Sequence, residues 1–266
     1  MHTLTANLRL FWNGTLLSYI ALFRWLHPPT YLASKIAMPL AQILFFTFLG
    51  TFATGRDNAS FYVIGNAVQI AAVSGIYGVT MSIGGDRWAG TLPYLFGTPA
   101  NRLTMFVGRA FMHVIDGMLG VVIGLAWGAL LLGLDFSRTD FGALALAILV
   151  TTFSTSGLGL LMGCLSLITL NVMFINNAVY FSLLIFSGAN VPIASLPPAL
   201  QAISAALPLT RGIQAARAIV GGAGFDQVGP LIGGEFLIGA IYVLAGYLLF
   251  RWFEMKAKQK GTLETV

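Results

Sequence analysis

Apolar runs alternate along this chain with short polar intervals, and the length of the runs sets the architecture. Runs over about 31–52, 60–83, 141–167, 172–187 and 230–250, and most of 99–134, hold too few charges to cover a water-facing surface. In hydrocarbon a helix satisfies its own backbone, and about 20 apolar residues make one crossing. Six spans are therefore predicted. Residues 4–27 differ: Leu8, Trp12, Leu16, Tyr19, Phe23 and Leu26 recur at three- and four-residue intervals, while Arg9, Asn13 and Arg24 interrupt any clean apolar run. That pattern predicts an amphipathic helix lying in the membrane interface. Arg24 and Trp25 stand where a signal peptide would carry small residues for cleavage, which argues against that alternative. Pro28 and Pro29 end this helix and turn the chain.

Polar residues inside the runs locate candidate chemistry. In the first span, Lys35 lies near the start, where it can snorkel to the headgroups, and Pro39 predicts a kink. In the second, Asn66 and Gln69 should face protein or a cavity, because an amide aimed at lipid is costly. The third helix, from about 99 to 134, is longer than one crossing requires, so its first turns belong to the cytoplasmic interface. Within it Arg109, His113 and Asp116 fall on one face at four- and three-residue spacing and can pair there. An ion pair that anchors the helix is favoured over a proton relay. The fourth span carries Thr151, Thr152, Ser154, Thr155, Ser156, Gly157 and Gly159, small residues suited to close helix packing. Cys164 reads as a small buried hydrophobe. After the fifth span, Asn190, Pro192, Pro197, Pro198 and Pro208 break an apolar stretch into pieces too short to cross, so half-helices are expected over about 188–215. The sixth span contains Glu235.

Composition agrees with the pattern: 57% of the 266 residues are hydrophobic and 9% are charged, against about 25% charged in a soluble domain. The net charge of +5 is explained by topology. Six crossings put both termini on one side with Arg9, Arg24, Lys35, Arg87, Arg102, Arg109, Arg251, Lys256, Lys258 and Lys260. The other side holds Arg56, Arg138, Arg211 and Arg217. The positive-inside rule makes the first side cytoplasmic, in a plasma membrane such as the bacterial inner membrane. Nothing remains of the basic excess to support nucleic-acid binding. The expected division is an interfacial segment over 1–29, a membrane domain over 30–252 and a cytoplasmic tail over 253–266.

The interval 84–109, GGDRWAGTLPYLFGTPANRLTMFVGR, is the densest polar passage before that tail. Asp86 can cap a short helix that begins at Arg87, since its carboxylate accepts free first-turn amides and suits the positive end of the dipole. Pro93 limits that helix and Gly97 can end it in a left-handed conformation. Thr98-Pro99 supplies a cap followed by proline at the first position of the next helix. The expected product is a clipped helix over about 84–98, parallel to the membrane and joined to the third span, able to pass a push inward.

Asp86-Arg87-x-x-Gly90-Thr91-Leu92 followed by Thr98-Pro99 resembles the coupling-helix pattern of type-2 ATP-binding-cassette exporter permeases. The resemblance extends over the chain, through the interfacial helix, six spans and the proline pairs around Pro192, Pro197 and Pro208. It departs at Pro93, where the family commonly has glutamate, so a charge available for docking the ATPase is absent. The resemblance implies an all-α polytopic permease that dimerises, with a second copy or a paralogue, and is driven by separate ATPase subunits that bind ATP and Mg. Asp86, Arg87, Trp88, Gly90, Thr91, Leu92, Thr98 and Pro99 would carry the coupling, and Pro192, Pro197 and Pro208 an outward gate. It places the pathway on the first, second and fifth spans, which nominates Phe45, Phe46, Asn66, Gln69, Tyr77, Asn177 and Phe181.

The chain itself is consistent with a separate ATPase. None of its four lysines follows a glycine, as a P-loop requires. The expected activity is export of an amphipathic small molecule, drug, natural product or lipid, since the outward loops are too short for a substrate-handling domain. A glycan or glycolipid exporter is the nearest alternative. An ion-coupled transporter or an intramembrane enzyme would have to use Asp116 or Glu235. No His-Glu-x-x-His metal pair is present, and no convincing internal repeat favours an ion-coupled carrier.

Overall fold

Each apolar run becomes a helix, and the turns between them show which ends lie together. The computed structural model describes residues 2–25, 27–88, 90, 91, 94, 97, 101–167 and 171–260, with the side chains of 2–4, 6, 17–19, 21–25, 86–88, 102 and 257–260 excepted. Among the described residues all regular structure is helical. The α-helices are α1 His2–Trp25, α2 Pro28–Thr54, α3 Ala59–Ala72, α4 Val79–Trp88, α5 Arg102–Leu132, α6 Phe141–Ser166, α7 Val172–Phe186, α8 Pro198–Ala206, α9 Thr210–Val220 and α10 Phe225–Lys260. A π-turn, Val73–Gly78, joins α3 to α4 without a break in the helix. Short 3₁₀ turns cover Arg56–Asn58 and Ile193–Ser195.

Five segments are long and apolar enough to cross a membrane: Pro28–Thr54, Arg56–Gly85, Leu103–Leu132, Phe141–Ser166 and Phe225–Lys256. The fifth predicted span, α7, has 15 residues, which at 1.5 Å each is about 22 Å, short of the roughly 30 Å hydrocarbon core. Pro39 lies inside α2 and Pro230 inside α10.

Two predicted boundaries move. Helix α5 begins at Arg102, because the Asn101 side chain accepts the Thr104 amide at 3.1 Å and so closes the first turn. Its end is set by Gly133 at φ 68°, the left-handed C-terminal geometry. Asp86 is not an N-cap: α4 runs on through it to Trp88, since Gly84 and Gly85 leave the helix unbroken. Gly90 takes the left-handed conformation at φ 65°, whereas Gly97 is helical. Leu92, Pro93, Thr98 and Pro99 lie outside the described residues.

Helix α6 forms the centre. It packs along α10 and also touches α4, α5, α9 and the π-turn. Its small residues are buried, and a side chain on Gly159 would run into the Gly75 carbonyl of the π-turn. Thr151, Thr152 and Thr155 return their hydroxyls to carbonyls one turn back, so the threonines reach the interface with their donors already satisfied. The packing expected of this span is what it does. Cys164 is buried and donates to the Gly246 carbonyl at 3.1 Å.

One end of the bundle gathers the 55–58 and 133–140 turns with the end of α9, which together wall one cavity. In the 133–140 turn the Ser137 amide and hydroxyl bond the Asp135 carboxylate, both at 2.8 Å, and hold it below the usual carboxylate range. The other end brings α1 against α5, where the Thr15 hydroxyl donates to the Gly108 carbonyl at 2.9 Å. There too Phe106 of α5 packs on Phe250 of α10, with centroids 5.3 Å apart. Helix α9 starts deep between these ends, with Gly212 against Thr151 near the middle of α6. It finishes at the first end, where Arg217 reaches Phe61.

Candidate functional site

The π-turn organises the polar interior. Ser74 and Tyr77 are three positions apart, which in an α-helix would leave them about 60° from each other, and the wider π register spreads them further. Ser74 turns toward α5 and Tyr77 toward α7.

On the α5 side, Asp116 is buried and accepts from three groups: Lys35 Nζ at 2.5 Å, Ser74 Oγ at 2.5 Å and the Tyr31 hydroxyl. Lys35 also donates to Ser74 Oγ at 3.0 Å. Lys35 therefore does not snorkel to headgroups. Its side chain is 16% exposed and turned inward, because an aspartate across the bundle offers a counter-ion where water is absent. The expected pairing of Arg109, His113 and Asp116 does not form. Arg109 donates to the Ser82 carbonyl at 2.6 Å. His113 is buried against Gly78, and neither ring nitrogen has a hydrogen-bond partner among the described residues. Asp116 does form an ion pair, with Lys35 of α2 in place of the partners expected on its own helix.

On the α7 side, the Tyr77 hydroxyl donates to Asn177 Oδ1 at 2.6 Å, and the Tyr180 hydroxyl donates to Gln42 Oε1 at 3.2 Å. The two tyrosine rings meet edge-on at 5.8 Å. Phe45 and Phe46 pair at 5.1 Å on α2. Phe45 is 62% exposed and Phe181 60% exposed, with Asn177 also exposed. Five of the seven nominated pathway residues, Phe45, Phe46, Tyr77, Asn177 and Phe181, thus lie on α2, the π-turn and α7. The other two do not join them. Asn66 and Gln69 are fully buried and tie α3 to the 187–190 bend, Asn66 Nδ2 to Asn190 Oδ1 at 2.8 Å and the Ser187 hydroxyl to Gln69 Oε1 at 3.2 Å. They face protein, as an amide inside a span should.

Glu235 has a different environment. Its carboxylate, 1% exposed, accepts the amides of Leu209 at 2.6 Å, Arg211 at 3.2 Å and Gly212 at 3.2 Å. Those are first-turn donors of α9, which have no intrahelical acceptor. An anion there satisfies them and suits the helix dipole. Among the described residues Leu209, at φ 79°, is the non-glycine residue with positive φ, and the carboxylate bond holds it there. Of the proposed gate prolines, Pro192 precedes the 193–195 turn, Pro197 is the residue before α8, and Pro208 is buried beside Leu209.

Arg217 closes the far end of α9. Its guanidinium lies 3.5 Å from the Phe61 ring centroid and donates to the carbonyls of Phe61, Gly188 and Ala189. Sequence reasoning missed this staple, the Lys35 pair and the Tyr180–Gln42 bond. One signal for the pair was available, since a cation in the first apolar run needs an anion from another run, and Asp116 and Glu235 are the two on offer. Of the coupling residues, Asp86, Arg87 and Trp88 form the last turn of α4, and Gly90 and Thr91 are exposed in the bend after it.

Residues 14–220 match the family described as ABC-2 type transporter. A relative from Streptomyces coeruleorubidus, the daunorubicin resistance ABC transporter permease protein DrrB1, is 30% identical over 227 residues, covering 80% of this chain and 76% of that protein. The chain belongs to the ABC-2 type transporter family, and is a permease subunit, the non-catalytic transmembrane component of such a transporter.

Proposed function

We propose that this permease exports an amphipathic small molecule, of the drug, natural-product or lipid kind, along the face formed by α2, the π-turn and α7. The observation that carries the reading is the exposed Tyr77–Asn177 bond on that face. Lipid offers such a polar pair nothing, whereas a pathway shared with a second permease copy supplies an amphipathic ligand or a protein partner. The flanking aromatics give apolar area, and the daunorubicin resistance for which the Streptomyces relative is named is in keeping with this substrate class.

Separate ATPase subunits, with ATP and Mg, drive the cycle by gripping the 84–98 interval. Asp86, Arg87, Trp88, Gly90, Thr91, Leu92, Thr98 and Pro99 receive the force, and α4 leads from there directly into the π-turn. Both termini are cytoplasmic by charge, and six crossings follow if α7 is completed by the 187–190 bend. Helices α8 and α9 then form re-entrant pieces on the outward side, with Pro192, Pro197 and Pro208 at their joints. Glu235 serves α9 where its amides would otherwise meet hydrocarbon.

The test is uptake into inverted vesicles that contain the permease and its ATPase, with daunorubicin as the fluorescent probe. Asn177→Ala should lower ATP-dependent uptake roughly tenfold, the effect of about 1.4 kcal/mol, while ATPase still co-purifies. Arg87→Ala with Gly90→Ala should abolish uptake and weaken co-purification. Uptake that persists without ATP would sink the proposal.

A further inference from the structure

The cavity at the 55–58 and 133–140 end has a volume of about 700 Å³, within the range of a ligand site. It belongs neither to the α2/α7 face nor to the coupling interval. Its walls combine an apolar floor, including Val63, Ile64, Leu134 and Val220, with four charges: Asp57, Asp135, Arg138 and Arg217.

Two of those charges are already spent. Arg217 gives its guanidinium to the Phe61, Gly188 and Ala189 carbonyls and lies on the Phe61 ring. Asp135 accepts the amide and hydroxyl of Ser137. The side chains of the other two, Asp57 and Arg138, are exposed and make no hydrogen bond or salt bridge to any described residue, although Arg138 is near enough to Asp135 to help hold that carboxylate down. Asp57 sits in the 3₁₀ turn before α3, and the Arg138 stem lies against Gly222, whose Cβ would stand 3.3 Å from that of Arg138. The 3₁₀ turn before α3 and the 133–140 turn thus each present a charge of opposite sign to the same cavity.

A ligand of single charge would be drawn to one of these side chains and repelled by the other. A headgroup with an anionic and a cationic centre fits both, and the apolar floor receives the carbon skeleton next to it. The turns lie at the ends of the long apolar helices, the depth of lipid headgroups. From this we infer that the cavity binds a zwitterionic headgroup of the phosphate–ammonium type, with Arg138 on the phosphate and Asp57 on the ammonium. The inference stands apart from the exported substrate.

Native mass spectrometry of the delipidated permease tests it, with phosphatidylethanolamine, phosphatidylglycerol and glycerophosphoethanolamine as probes. The wild-type chain should retain phosphatidylethanolamine over phosphatidylglycerol by about tenfold, the worth of one bond to a charged group. Asp57→Asn should erase that preference by weakening only the ammonium lipid, and Arg138→Gln should weaken both lipids. Retention of glycerophosphoethanolamine as tight as that of the lipid would assign the site to a free zwitterion; loss of it would assign the site to the membrane lipid. Equal retention of the two lipids by the wild-type chain, or variants that retain them as it does, would overturn the inference. Unchanged thermal unfolding of both variants shows that the fold is not what was lost.

Discussion

Asp116 and Glu235 are both acids buried within apolar helices, and they are stabilised by different means. Asp116 has a counter-ion, Lys35, together with two hydroxyls drawn from α2 and the π-turn. Glu235 has no cation on its oxygens. It accepts three backbone amides at the start of α9, so a helix end takes the place of a counter-ion. The first arrangement joins side chains that can each be exchanged. The second joins a side chain to backbone, which no substitution in α9 short of proline removes. A buried carboxylate in a membrane helix is therefore not in itself a sign of ion coupling.

The largest expected effect breaks the first arrangement. Lys35→Met leaves Asp116 charged and unpaired, and should cost about 3–5 kcal/mol, as one-sided removal of a buried pair does. Lys35→Met with Asp116→Asn should recover most of that in detergent unfolding. A double variant as unstable as the sum of the singles would show that the two side chains are not coupled. Next, Glu235→Ala should cost about 2–3 kcal/mol, since it orphans amides worth roughly 1–3 each, partly regained by water. Glu235→Gln keeps one acceptor and should fall between it and the wild type. If Glu235→Gln proved harmless, the dipole argument for that acid would lose its charge component.

Smaller effects sharpen the contrast at the other end of α9. Arg217→Lys keeps the charge and loses the planar fork that reaches three carbonyls, so about 1–2 kcal/mol should be lost. An undiminished melting temperature would show that charge alone holds that end. Smallest is Cys164→Ala, which removes a weak thiol bond to Gly246 from a buried site and should stay near 1 kcal/mol.

Much of the fold was legible because it is dictated by length and polarity. Apolar runs define helices, whereas the cap at Asp140, whose side chain accepts the Gly142 and Ala143 amides, emerges only from the structure. The threonines and glycines of α6 could be read as packing residues from their size alone. What was not legible depends on partners distant in sequence. Lys35 looks like an interfacial lysine until α5 is placed beside α2, because Asp116 lies 81 positions away. The π-turn leaves no mark in hydropathy, since a change of hydrogen-bond register moves no residue from apolar to polar. Asp86 was misplaced for a related reason. A carboxylate before a variable pair looks like a cap, but the helix that contains it began seven residues earlier, at Val79.

The π-turn also leaves the second span open to a very small lesion. A π register accommodates one residue more per turn than an α-helix does, so a deletion of one residue within Val73–Gly78 lets α3 and α4 run on as one regular helix. Such a chain would keep its apolar length, its lysine and its aspartate. Its two halves would stay in phase, because five residues in α register turn about as far as the six of the π-turn do. Insertion and assembly should survive, and what would be lost is the spread that lets Ser74 reach Asp116 while Tyr77 reaches Asn177.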